Sequence, residues 1–121
     1  MSHGDVVSVD LGPPRGHAQA GNRPGVIVQD EETSQDLPTV VVVPVTSSLR
    51  AVDRFSHTIR IDPDGHNGLS LSSVLLVFQI TAVDLRQTSR RIGRLSEAHL
   101  QQLDTTLRNL LRLPNVPARP S

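Results

Sequence analysis

Apolar and polar positions divide the chain into short strands followed by one helix. Val7, Val9 and Leu11 alternate with Ser8 and Asp10, which predicts a half-buried strand over Asp5–Leu11. Gly25–Gln29 reads as a second, shorter strand. Thr39–Val45 contains four consecutive valines without alternation, the signature of a strand buried on both faces. Pro44 has no N–H for a ladder, so this strand is expected to end there or to lie on an edge. Thr58–Asp62 alternates cleanly. Val74–Phe78 is apolar throughout, and Ile80–Leu85 is expected to continue it after a bend. The period then changes. Ser96 is placed as an N-cap with Glu97 in the first turn. Leu100, Leu103, Leu107, Leu110 and Leu111 form one helical stripe that Pro114 ends.

Five or six short strands, one main C-terminal helix and no βαβ rhythm predict a compact antiparallel α+β domain built as a small barrel. The 121 residues suffice for one core and not for two. A single domain is expected over residues 1–113, with a flexible, proline-containing tail over 114–121.

Between the predicted strands lie the segments that carry chemistry. Gly12-Pro13-Pro14 ends the first strand. Arg15–Pro24 then places two arginines, a histidine, a glutamine and two glycines on what should be a rigid rim, since Gly16 and Gly21 permit positive φ. Asp30–Asp36 reads as a solvated acidic hairpin loop. Thr46-Ser47-Ser48 exposes three hydroxyls where the third strand exits, and Asp62–Gly68 is a turn cluster.

Composition narrows the field. The formal charge is zero, against a general nucleic-acid coat, although it leaves room for a local basic groove. All twelve basic residues are arginines, the better residue for bidentate phosphate contacts. There is no cysteine, hence no thiolate nucleophile or cysteine-based zinc site. The five histidines are not clustered, so no metal ligand set and no cofactor is expected. No stretch has the pattern of a signal peptide or membrane span, so a soluble cytoplasmic protein without membrane contact is expected.

Among the histidines only His17 keeps company with Arg15, Gln19 and Arg23. The run Arg86, Arg90, Arg91, Arg94 reads first as a solvated segment before the helix, and second as a phosphate-positioning patch. Only two aromatic residues exist. Phe55 lies in polar surroundings and is available to a base, whereas Phe78 is expected to fill core.

Taken together, Gly4-Asp5-Val6-Val7, the Arg15–Pro24 loop, Val42-Val43-Pro44-Val45-Thr46-Ser47, Gln79 after an apolar strand, and Arg91–Ser96 before the helix resemble the MazF/PemK toxins. The resemblance spans Gly4–Leu113. It implies a metal-independent endoribonuclease on an SH3-like barrel, acting as a homodimer on single-stranded mRNA and neutralised by a cognate antitoxin. In that family the 2′-hydroxyl attacks the adjacent phosphate, leaving a 2′,3′-cyclic phosphate and a 5′-hydroxyl. Matched position by position, Arg23 and Thr46 become the catalytic candidates. Arg15, His17, Gln19, Ser47, Arg54, Phe55 and Gln79 become substrate-binding candidates.

The chain also departs from the family pattern. Some members carry an arginine and an aspartate just before the strand-end glutamine, where this chain has Leu76-Val77-Phe78. Ala18 stands where a glutamate is common. These departures keep two other readings open: a non-catalytic, protein-binding module of the same fold, and a toxin of this fold that inhibits a topoisomerase.

Overall fold

A computed structural model describes residues 1–114, so the expected tail lies outside the described residues from Asn115 onward. The described residues form seven strands and three α-helices: β1 (Asp5–Asp10), β2 (Asn22–Ile27), α1 (Glu31–Ser34), β3 (Thr39–Thr46), α2 (Ala51–Arg54), β4 (Thr58–Ile61), β5 (Ser73–Leu76), β6 (Thr81–Asp84), β7 (Thr88–Arg94) and α3 (Glu97–Leu111). All strand pairs are antiparallel, in the order β4-β5-β3-β2-β1-β7, with β6 also paired to β3. The α+β class and the C-terminal helix are as expected. The seven-stranded sheet curves over its core without closing, because β4 and β7 are not hydrogen-bonded to each other.

Pro44 corrects the expectation of an edge. β3 is interior and runs past Pro44 to Thr46. On its outer side β6 pairs with Thr39–Val42, and β5 takes over at Val45 and Thr46. Pro44 therefore falls at the junction between two partner strands, where a missing N–H costs no ladder bond. The same division of labour separates β6 from β5. Ile80–Leu85 does not continue the fifth strand but becomes a strand of its own on β3.

Several boundaries move. The fifth strand stops at Leu76, and Val77–Gln79 winds into a 3-10 turn. The acidic connection contains the single helical turn α1. The arginine run begins with Arg86 in the 3-10 turn Leu85–Gln87 and continues in strand β7, which lacks apolar alternation because Ser89, Arg90 and Arg91 are exposed along an edge. Its charges are largely committed. Asp5 is buried and accepts from Arg94 Nη1 at 3.0 Å, with Arg91 Nε an ion-pair neighbour at 3.2 Å, while Arg86 pairs with Asp84 at 3.0 Å. Three of the four arginines are thus structural, and Arg90 alone has no carboxylate partner among the described residues.

Two of the three apolar clusters involve the central strands, and the third joins Ala51 to Val74 and Leu76. Val7, Val9, Ile27, Val40, Val42 and Val83 form one, and α3 closes the other. The Ser96 hydroxyl accepts the His99 N–H at 3.2 Å and starts α3. Leu103 is fully buried; Leu100, Leu107 and Leu110 pack beside it on Val6, Val26 and Ile59. Leu111, counted in the expected stripe, is exposed, since one residue past Leu110 turns it about 100° away from the core.

Gly68 and Gly93 lock the Asp62–Gly68 turn against β7. Gly68 has φ +72°, and a β-carbon there would run into the Ile92 carbonyl; one on Gly93 would strike the backbone of Asn67. Asn67 is fully buried and donates from Nδ2 to the Asp62 carbonyl at 2.9 Å. Its Oδ1 accepts the Leu69 N–H at 3.1 Å.

Candidate functional site

Arg23 was expected in the loop and is instead in β2, opposite Val9 of β1. β2 and β3 pair through Gly25–Pro44. That ladder ends two residues short of Arg23 and Thr46, and both side chains line one depression. The Arg23 Nε donates to the Ala20 carbonyl at 2.9 Å. Among the described residues its guanidinium has no carboxylate within ion-pair distance, which leaves its charge available to an anion.

Thr46 is buried and pairs with Val74 of β5. Its Oγ1 accepts the Ser48 N–H at 3.2 Å. That bond fixes the oxygen at the strand exit and leaves the hydroxyl proton to donate. Ser48 is thus a positioning group that spacing alone did not single out, although it stands in the hydroxyl triplet.

The loop that carries His17 is tied down at two places. At its neck, Gly12 (φ +78°) and Gly21 (φ +75°) close the β1–β2 hairpin, with the Gly21 N–H on the Gly12 carbonyl at 2.8 Å. At its tip, Gln79 Oε1 accepts the Gln19 N–H at 3.0 Å, and Gln79 Nε2 donates to the His17 carbonyl at 2.9 Å. The carboxamide grips the loop as a neighbouring strand would. The 3-10 turn that replaces the end of the predicted fifth strand aims Gln79 inward.

Several depressions open around these residues. One of about 190 Å³ is lined by His17, Gln19, Thr46, Arg54, Phe55 and Gln79, six of the nine candidate residues. Ala51 and Leu76 supply apolar surface there, and Ser48 a further hydroxyl. A second, of about 290 Å³, adds Arg23 and Ser47 beside Thr46, with Gly68 and Leu69 of the locked turn as a wall. Arg15 stands apart: it lines a third depression of about 400 Å³ on the far side of the Gln19–Gln79 pair. No carboxylate lines the first two.

The departure at residues 76–78 has a structural outcome. Leu76 is buried against Ala51 and Val74. Phe78 is not the core residue expected; it is half-buried and lies against Phe55, with ring centroids 4.9 Å apart. The Arg54 guanidinium carbon sits 5.4 Å from the Phe55 ring centroid. Among the described residues no three His, Cys, Asp or Glu side chains gather as a metal site. No helix there is long and apolar enough to cross a membrane.

A model of the family described as "PemK-like, MazF-like toxin of type II toxin-antitoxin system" matches residues 2–111. The chain is 32% identical over 115 residues to "Endoribonuclease MazF" of Staphylococcus epidermidis, covering 95% of this chain and 94% of that protein. Its fold is similar to the crystal structure of MazF from Deinococcus radiodurans, with a TM-score of 0.78, 21% identity, and 93% and 97% of the two chains covered. It is likewise similar to an endoribonuclease in complex with its cognate antitoxin from a mycobacterial species, with a TM-score of 0.71, 20% identity, and 96% and 97% covered.

Proposed function

The chain belongs to the PemK-like, MazF-like toxins of type II toxin–antitoxin systems, and we propose that it is an endoribonuclease that cuts single-stranded RNA without a metal ion. The presence of Arg23 and Thr46 on the wall of one depression carries this reading. The RNA 2′-hydroxyl loses its proton and attacks the adjacent phosphorus. The pentacovalent phosphorane gathers negative charge on its non-bridging oxygens, and collapse expels the 5′-oxygen, which takes up a proton. The products are a 2′,3′-cyclic phosphate and a 5′-hydroxyl.

The Arg23 guanidinium, unpaired with any carboxylate among the described residues, offers parallel N–H donors to those oxygens, and the Thr46 hydroxyl adds a neutral donor. Arginine holds its proton too tightly to be a good proton donor and serves here as the charge stabiliser. His17, on the rim of the Thr46 depression, is the imidazole placed to move a proton. Arg54, Phe55, Gln19 and Ser47 line the two depressions that would hold flanking nucleotides. The absence of carboxylates from both linings supports chemistry run by cationic and neutral donors.

The partner is a cognate antitoxin, as in the mycobacterial complex, and the family resemblance adds a homodimer as the acting form. The deciding experiment incubates purified protein with RNA in EDTA and sequences the new 5′ ends. Cleavage to cyclic-phosphate ends is expected, and Arg23→Ala is expected to be folded and inactive. A folded wild-type protein that cuts no single-stranded RNA defeats the proposal.

A further inference from the structure

The arginine run leaves one member without a structural task. Arg86 pairs with Asp84, and Arg91 and Arg94 pair with Asp5, whereas Arg90 has no carboxylate partner among the described residues. Its place on β7 is irregular. The β1–β7 ladder pairs Val7 with Arg91 and Val9 with Thr88, so Ser89 and Arg90 together stand opposite the single Ser8. Such a bulge re-aims side chains out of the regular alternation. Here the Ser89 hydroxyl turns onto the Ser8 carbonyl at 3.5 Å, and Arg90 lines an open depression of about 400 Å³. Ser8 and Asn22 line the same depression, and no carboxylate does. Asn22, Arg23, Pro24 and Ile92 line both this depression and the one that holds Thr46, so the two adjoin.

We propose that Arg90, with Ser8 and Asn22, is a subsite for a second RNA phosphate, further along the strand from the scissile one. This rests on the RNA-cleaving reading above and extends its substrate site. An exposed guanidinium beside a hydroxyl and a carboxamide, with no aromatic ring and no carboxylate, suits a phosphodiester and not a base. β2 and β7 flank β1, so the backbones at Arg23 and Arg90 lie two strand spacings apart, about 10 Å. A strand gripped at the first therefore passes within reach of the second. Contacts to phosphate hold the strand in place and carry no sequence information. Arg90 binds substrate and takes no part in the bond-breaking step.

The test uses an RNA oligonucleotide of the mapped cleavage sequence with a 2′-deoxy sugar at the attacking position, so that it binds without being cut. Each phosphate in turn is replaced by a neutral methylphosphonate, and Kd is read across a salt series. For the wild type, one position besides the scissile phosphate is expected to raise Kd about tenfold, the scale of one charge-assisted hydrogen bond. Arg90→Gln is expected to raise Kd on the unmodified strand by a similar factor and to be indifferent to methylphosphonate at that position. Its plot of log Kd against log salt should be shallower by about 0.7, one phosphate contact on a single strand. With cleavable RNA the loss should fall on KM rather than kcat. Asn22→Ala should weaken the same position only, which keeps the proposal open to refutation even where Arg90→Gln fails to fold. Equal methylphosphonate penalties in the wild type and both variants at every position overturn the proposal. So does a folded Arg90→Gln protein that sediments as a smaller species than the wild type, a result that makes Arg90 a contact between copies of the chain. A wild-type protein that neither binds nor cuts RNA removes the RNA reading and the subsite with it; cleavage that ignores Arg90 removes the subsite alone.

Discussion

The Gln79 side chain holds Gln19 by its backbone: Oε1 accepts the Gln19 N–H at 3.0 Å, while the same carboxamide donates to the His17 carbonyl two residues earlier. A glutamate of the same shape keeps the first bond and turns the second into a contact between two oxygens. Gln79→Glu is therefore expected to release the loop tip without unfolding the sheet. RNA cleavage should fall about tenfold in kcat/KM, in line with a lost hydrogen bond plus repulsion, at nearly unchanged thermal midpoint. Steady-state kinetics beside a melting curve check this.

Thr46→Val keeps the shape of the side chain and removes the hydroxyl. The Ser48 N–H then loses its acceptor, and the proposed phosphorane loses a donor. A drop in kcat of about 10²-fold is expected, the scale of one preorganised donor removed, with KM changed much less. Single-turnover cleavage separates the two effects; an unchanged kcat removes Thr46 from the mechanism.

Gly68→Ala is expected to destabilise the whole domain. The added β-carbon meets the Ile92 carbonyl at a left-handed backbone position, so both strain and a backbone shift follow. A loss of more than about 2 kcal/mol in urea unfolding is expected. Gly65→Ala also sits at positive φ, but its β-carbon meets open space, and it should cost less.

The Asp62–Gly68 turn also carries a pH signature. The backbone N–H groups of His66 and Asn67 hold the Asp64 carboxyl below its usual 3.8. A carboxyl depressed in the folded state adds stability above its unfolded value and loses it as pH falls through the folded one. Asp64→Ala should therefore melt below the wild type at neutral pH, and the difference should shrink as pH drops below about 4. Thermal melts across pH 2–7 read it directly.

Local patterning alone determined much of this protein. The alternation at Val7–Leu11, the valine run and the leucine spacing each bury one face, so they fix β1, β3 and α3 wherever the chain goes. The loop motif and the Pro-x-Thr-Ser segment placed the family, because side-chain types at fixed spacing survive being read linearly.

Only the tertiary structure decided the rest. Pro44 is interior because two different strands share one side of β3, a fact of pairing that no local window contains. The seventh strand is an exposed edge whose Arg91 and Arg94 pair with Asp5 on the neighbouring β1, so it carries no apolar period to detect. Arg23 and Thr46 share one depression because β2 and β3 are neighbours in the sheet. Gln79 reaches the loop because a 3-10 turn ends β5. Phe78 props Phe55 because α2 and that turn share one apolar cluster. Each of these joins residues distant along the chain, and such contacts follow from strand order and register, which local propensity does not encode.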